Sequence, residues 1–168
     1  CPDFGWTDIY TLAKDCGFHG IEMRGLGGDI FSVHASPFRP ENLARTKAEL
    51  KRLKLEICCL SSGCALKFAD RHNESIEELK EYIALASALE TPYIRVLGDL
   101  TAEPGEDFPD EYVIEPMKIL APIAEEAGVT LLIETNGVYS DTARLADVLA
   151  QIGSDSVAAL WDWNHPYR

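Results

Sequence analysis

Long apolar segments are missing from this sequence. No run approaches the about 18 apolar residues that a membrane-spanning helix needs, and residues 1–4 lack the basic and apolar regions of a secretory signal peptide. Membrane and secreted proteins are therefore disfavoured classes. The sequence predicts a soluble protein of the cytoplasm that has no membrane partner.

Positive charge is also scarce. The 168 residues include 15 Lys and Arg against 28 Asp and Glu, and the resulting net charge of −13 is spread along the chain rather than collected in a tail. Such a chain repels phosphate backbones and anionic lipid surfaces. Nucleic acid is therefore disfavoured as a partner, whereas a small phosphorylated metabolite can still bind locally.

Regular cysteine spacing is absent as well. The five cysteines are odd in number and form no CxxC pair. A disulfide framework or a structural zinc site would show such spacing. We therefore expect reduced thiols that act as small buried apolar side chains.

The sequence does contain a repeated alternation of amphipathic helix patterns and short apolar strand patterns. Hydrophobic residues make up 46% of the chain, which is enough for a real core, and one domain spanning residues 1–168 is expected. The predicted strands end near Arg24, Ser61, Gly98, Glu134 and Asp162.

Capping and stop signals mark the predicted helices between these strands. Thr7 is the predicted cap of the first helix, and Pro40 opens the second, which runs to about Lys54. Ser75 and Glu78 form a capping box for the third helix, and Ser140 or Asp141 caps the last one. The helix that precedes the Glu134 strand contains Pro116 and Pro122, which we expect to kink or shorten it.

Five helix-then-strand units of this size predict an α/β fold with a parallel sheet and right-handed crossovers. Two architectures satisfy the pattern: an open doubly wound sheet, or part of a (β/α)8 barrel. The sequence has neither a GxGxxG motif after a strand nor a GxxxxGK[ST] motif. Their absence disfavours the nucleotide-binding version of the open sheet.

Acidic residues follow the last two predicted strands. Glu134 ends the apolar run 129–133, and Asp162 follows the run 157–161 and precedes His165 by three positions. Functional groups in parallel α/β folds gather at the carboxyl ends of the strands. We therefore expect Glu134 and Asp162 to converge. Glu22, at the end of the first predicted strand, can line the same edge or form an ion pair at its rim.

Three segments resemble the xylose isomerase-like TIM barrels. They are residues 17–24 (Gly-Phe-His-Gly-Ile-Glu-Met-Arg), residues 133–136 (Ile-Glu-Thr-Asn), and Asp162-x-x-His165, in that order. The superfamily holds sugar-phosphate isomerases and epimerases, hydroxypyruvate isomerase, inosose dehydratase and endonuclease IV. The resemblance implies a (β/α)8 TIM barrel that is incomplete here, with about five units corresponding to barrel strands two to six.

The resemblance also implies a site. Glu134 and Asp162 would be metal ligands, and the two remaining family ligands would lie beyond Arg168. Oxygen-rich donor sets suit Mn²⁺, Mg²⁺ or Co²⁺, and Zn²⁺ where histidines are added. The implied activity is that of a metal-dependent sugar or sugar-phosphate isomerase or epimerase that transfers a proton through a metal-stabilised enediolate.

Residue roles follow from residue types and positions, and for His165 also from the resemblance. Glu134 is the expected base, and His165 is expected to donate a hydrogen bond to a substrate oxygen. Of Trp161 and Trp163, which flank Asp162, one is expected in the core and the other, Trp163, against a sugar face. Arg168 and Glu22 are further candidates for substrate contact.

Two alternatives stay open. One is a non-catalytic or degenerate α/β domain that binds a small ligand or a partner; the other is a lyase of the same fold that resembles inosose dehydratase. DNA repair is disfavoured, because His34 lies in a loop and the strands ending near Ser61 and Gly98 carry no histidine. We expect the chain to be an excerpt of a longer protein; otherwise its open sheet edges favour association into a homo-oligomer.

Overall fold

Five α-helices alternate with five β-strands in the computed structural model, which describes residues 3–28, 32–101, 103–104 and 106–164. The helices are α1 (Trp6–Asp15), α2 (Pro40–Leu53), α3 (His72–Leu89), α4 (Glu111–Ala127) and α5 (Thr142–Ile152). The strands are β1 (Gly20–Met23), β2 (Glu56–Ala65), β3 (Tyr93–Leu97), β4 (Thr130–Glu134) and β5 (Val157–Leu160). No helix in these ranges combines the length and the apolar character that crossing a membrane requires.

The strand order decides between the two architectures that the sequence left open. The sheet runs β1-β2-β3-β4-β5, and each strand pairs in parallel with the next one along the chain. A doubly wound sheet reverses direction at a switch point and thereby places helices on both faces. Here the order never reverses, so right-handed crossovers place the helices on one face. The fold is therefore part of a (β/α)8 barrel, as expected.

The two faces of the sheet have different surroundings. Leu60, Ile94 and Leu131 lie in one register row and belong to the core cluster that includes buried residues of α3, α4 and α5. Cys59 and Leu132 are buried but lie outside that cluster, because alternate residues of a strand point to opposite faces. We call this second face, which lies opposite the helices, the inner face.

Some predicted helix boundaries are confirmed. Helix α2 begins at Pro40, where proline at the first helical position costs no hydrogen bond. Helix α5 is capped by Asp141 rather than Ser140, because Oδ1 of Asp141 accepts from the amides of Ala143 (3.0 Å) and Arg144 (3.3 Å).

Other predicted boundaries are wrong. The N-cap of α1 is Gly5, so Thr7 lies inside the first turn. Helix α3 begins at His72, because the short 3₁₀ turn of residues 69–71 leads directly into it; Ser75 is therefore a buried helical residue and not a cap. Helix α4 continues through Pro116 and Pro122 without interruption, so it is not shortened, whereas the expected kink stays a prediction. Its buried face, which includes Met117 and Leu120, compensates for the lost backbone hydrogen bonds.

The loop after β4 closes tightly over the loop after β3. Gly137 has φ of +53°, and a Cβ built on it would lie 2.2 Å from Oδ2 of Asp99. The position therefore needs glycine both for its backbone conformation and for space.

Replacing Gly137 by Ala is expected to lower the free energy of unfolding by about 2–4 kcal/mol, which combines left-handed strain with overpacking. Gly128→Ala is the matched control, because Gly128 has φ of +68° and a Cβ there would have no neighbour within 4 Å. The control should lose only about 1 kcal/mol. Urea denaturation of both variants measures the difference, and equal losses would contradict the predicted clash.

Candidate active site

Glu134 lies at the carboxyl end of β4, on the inner face of the sheet. Its side chain is only 8% exposed. Arg95, in the middle of β3, donates a hydrogen bond from Nε to Oε2 of Glu134, and the Arg95 side chain is itself 12% exposed. The two side chains therefore form a largely buried ion pair at the edge where functional groups were expected.

Asp162 lies two residues beyond the end of β5. Its backbone is hydrogen-bonded to the side chain of Thr135, the residue that follows Glu134. The amide of Asp162 donates to Oγ1 of Thr135 at 2.9 Å, and the same hydroxyl lies 3.3 Å from the Asp162 carbonyl oxygen. Glu134 pairs with Leu160 in the sheet register, and Asp162 follows Leu160 by two residues. Both acidic residues thus occupy the same edge, on adjacent strands.

Glu22 and Ser61 continue this polar arrangement across the inner face. The hydroxyl of Ser61 donates to Oε1 of Glu22, and Ser61 pairs with Arg95 in the register of β2 and β3. Glu22, Ser61, Arg95 and Glu134 therefore form a polar row across four strands. Glu22 is exposed and bonded to a hydroxyl, so the rim ion pair considered for it is not seen among the described contacts.

Cys59 occupies the inner face beside this row. Burial, followed by the nearby charge of Glu22, raises the pKa of its thiol to about 12. The thiol therefore stays protonated near neutral pH and does not act as a nucleophile. Cys59 and Cys64 are both buried and free, as expected, but Cys58 is half-buried and Cys16 is exposed, so the expected burial is wrong for Cys16.

Just after the end of β3, Asp99 is fully buried, and its carboxylate has three polar partners. Lys67 pairs with Oδ1 at 2.7 Å, the amide of Leu100 donates to the same oxygen, and the amide of Val138 donates to Oδ2 at 3.2 Å. Asn136 donates from Nδ2 to the carbonyl oxygen of Asp99 at 3.1 Å. These bonds lock the loops after β3 and β4 together.

Arg144 attaches the loop after β3 to helix α5. It donates to Asp107 (2.7 Å), to Asp110 (2.9 Å) and to the carbonyl oxygen of Phe108 (2.8 Å). The hydroxyl of Tyr139 also donates to Asp110, and burial raises the pKa of Tyr139 above its ordinary value. These bonds attach residues 107–110 to the start of α5, away from the polar row.

Several predicted site residues lie elsewhere. His165 and Arg168 are outside the residues that the structure describes. Trp163 is 71% exposed and Trp161 is 63% exposed, so the expectation that one of them is in the core is wrong. Trp161 instead lines a shallow depression of about 370 Å³ beside α5, on the helix side of the sheet. Among the described residues, β5 is an edge strand that pairs with β4 alone, which leaves both tryptophans uncovered.

Two of the described histidines, His34 and His72, lie outside the site. His34 lies in a 3₁₀ turn at residues 32–34, with Nε2 3.4 Å from Glu81 of α3. Nε2 of His72 contacts the carbonyl oxygen of Leu66 at 2.8 Å, which supports a structural role at the start of α3. Neither supplies a metal ligand to the strand ends.

Sequence reasoning missed Arg95 at this site, and it also missed the structural Lys67–Asp99 ion pair nearby. A signal for Arg95 was present, because a single charged residue interrupts the otherwise apolar strand between Ile94 and Val96. A charge in such a position needs a partner. The partner of Arg95 could not be identified from the strand alone, because Glu134 lies 39 residues away in the sequence.

The side chains of Glu134 and Asp162 offer carboxylate oxygens as metal ligands, and such oxygens suit a hard divalent cation. Within ranges 3–28, 32–101, 103–104 and 106–164, however, no group of three or more His, Cys, Asp or Glu could hold a metal ion. Glu134 and Asp162 are thus at most two donors of a larger set. A carboxylate can accept from Arg95 at one oxygen and still offer lone pairs to a cation.

Comparisons with known proteins agree with the fold. The model of the xylose isomerase-like TIM barrel family matches residues 10–168. The probable 3-DHS dehydratase AsbF from Bacillus anthracis superposes with a TM-score of 0.75 at 21% identity over 96% of this chain and 59% of its own. The 3-keto-D-glucoside 4-epimerase YcjR from E. coli gives 0.74 at 15% identity over 95% of this chain and 64% of its own.

A third structure, the IOLI protein with a bound zinc atom, gives a TM-score of 0.73 at 17% identity over 98% of this chain and 60% of its own. The chain therefore spans less than two thirds of the length of each of these proteins. At these identities the likeness concerns the fold. No curated protein matches the sequence.

Proposed function

Because the chain belongs to the xylose isomerase-like TIM barrel family, we propose that it comes from a metal-dependent isomerase or epimerase of sugars or sugar phosphates. The observation that carries the proposal is the placement of Glu134 and Asp162 on adjacent strand ends, joined through Thr135. The structures that this chain resembles include a probable 3-DHS dehydratase and a 3-keto-D-glucoside 4-epimerase, which supports enzymatic activity in general.

Glu134 and Asp162 are the described residues that would hold the metal. When bound, a divalent ion would acidify a C–H group next to a substrate carbonyl and stabilise the charge that develops. The zinc atom of the IOLI protein supports a divalent metal in this family. For this chain Mn²⁺, Mg²⁺, Co²⁺ and Zn²⁺ all remain candidates.

Glu134 is the proposed proton acceptor, because its carboxylate is shielded from bulk water at the strand end and faces the inner side of the sheet. Glu22, at the other end of the polar row, is exposed and can accept hydrogen bonds from substrate hydroxyls. His165, Arg168 and Trp163 complete the proposal as substrate contacts. With a net charge of −13, a small sugar in the cytoplasm is the proposed partner rather than nucleic acid or a membrane.

Metal binding by the full-length protein tests the proposal. We expect stoichiometric Mn²⁺ binding in isothermal titration calorimetry, and a dissociation constant at least about 100-fold higher in Glu134→Ala and in Asp162→Ala, because a charged ligand is lost. Asp155→Ala is the control, because Asp155 is exposed on the loop before β5, at the opposite end of the strand. Equal affinity in all four proteins would refute the proposed site.

A non-catalytic binding domain is the second candidate. The bond from Arg95 to Glu134 favours it, because that bond already neutralises the carboxylate within the fold. In that case ligand binding and thermal stability would be indifferent to EDTA. A lyase of the same fold would bind metal in the same way, but would form an unsaturated product by loss of water instead of an isomer.

A further inference from the structure

Arg95 has an unusually constrained position for an arginine. It lies in the central strand β3, and its carbonyl oxygen accepts a hydrogen bond from the hydroxyl of Ser62 on β2 at 2.8 Å. Its neighbours in the strand, Ile94 and Val96, are fully buried on the helix side. The backbone and the side chain of Arg95 are therefore both fixed by their surroundings.

The guanidinium of Arg95 is only partly used by its described neighbours. Nε donates to Oε2 of Glu134, whereas Nη1 is buried and has no hydrogen-bond partner among the residues that the structure describes. An unsatisfied buried donor is costly, and native proteins retain such a group mainly where function requires it. A pair that served stability alone would be expected to use the guanidinium more fully, as Arg144 does with its three acceptors.

From this geometry we infer that Arg95 is a positioning residue, which holds the Glu134 carboxylate in the orientation that metal binding requires. The inference rests on the proposed function of Glu134 as a metal ligand. A guanidinium is planar and donates along fixed directions, so a bond from Nε restricts rotation of the carboxylate. Groups that orient metal ligands in this way commonly change metal affinity by about 10–100-fold when they are replaced.

Charge alone predicts the opposite effect, and this makes the inference testable. Arg95 is positive and lies beside the proposed cation site, so removing its charge should strengthen cation binding by reducing repulsion. If Arg95 positions Glu134, the same substitution should weaken binding instead. Arg95→Gln and Arg95→Lys separate the two effects, since the first removes the charge and the second keeps it without the planar donor.

The experiment is titration of Mn²⁺ into the full-length protein and its variants, at a temperature where circular dichroism shows each to be folded. We expect Arg95→Lys and Arg95→Gln to bind Mn²⁺ about 10–100-fold more weakly than the wild-type protein. Arg144→Lys, a matched change in an ion pair away from the polar row, should bind normally.

Lys67→Met provides a control for lost stability, because it breaks another buried ion pair near the same edge. Unchanged Mn²⁺ affinity in Arg95→Lys, tighter binding in Arg95→Gln, or an equal loss in Lys67→Met would each overturn the inference. Loss of binding in Glu134→Ala with normal binding in both Arg95 variants would reject only the role of Arg95. Normal binding in Glu134→Ala would reject the proposed function itself.

Discussion

Replacing Glu134 by Gln should lower kcat/KM of the full-length protein by about 10²–10⁴-fold, the range typical for loss of a general base. Glutamine has nearly the same shape and can still accept a hydrogen bond from Arg95, but it can neither take up a proton nor supply a negative charge to a cation. The measurement is the rate of conversion of the best substrate found among ketoses, aldoses and their phosphates.

Exchange with solvent gives a second readout of the same change. In D₂O the wild-type protein should incorporate deuterium at the carbon that loses its proton, and Glu134→Gln should slow that incorporation in parallel with turnover. Glu126→Gln, on the exposed side of α4, is the control and should retain full activity. Deuterium incorporation at the wild-type rate in Glu134→Gln would show that another group removes the proton.

The second large effect concerns stability. Replacing Lys67 by Met should lower the free energy of unfolding by about 3–5 kcal/mol, because Asp99 is 0% exposed and would be left as a buried charge without its counterion. The amides of Leu100 and Val138 would still donate to Asp99, but they carry no net charge. Chemical denaturation followed by fluorescence measures this loss.

Lys47→Met is the matched control for this prediction. Lys47 forms an ion pair of the same 2.7 Å length with Glu90, but the Glu90 side chain is 80% exposed. Exposed pairs contribute at most about 1 kcal/mol, so the control should unfold nearly as the wild-type protein does. If Lys67→Met were no more destabilised than Lys47→Met, the buried charge of Asp99 would not depend on Lys67 for its stability, and the prediction would be wrong.

Local patterns predicted most of the fold. The apolar strand runs and the alternating helices are set by which side chains can be buried at a period of two or 3.6 residues, and that information lies within short segments. Pro40 and Asp141 act on the backbone within three residues of themselves, so their roles were also readable. The extension of β2 from Ser61 to Ala65 was not, because pairing with β3 at Leu97 decides it.

For the site, the sequence by itself determined that acidic residues follow the last two strands, since Glu134 and Asp162 stand directly after apolar runs. Tertiary structure alone decided their surroundings. Arg95 reaches Glu134 across 39 residues and Lys67 reaches Asp99 across 32, through pairings that exist only when parallel strands lie side by side. The physical reason is that the burial of a side chain can be predicted from its local sequence pattern. The partner of a buried charge depends instead on which strands pair and in which register.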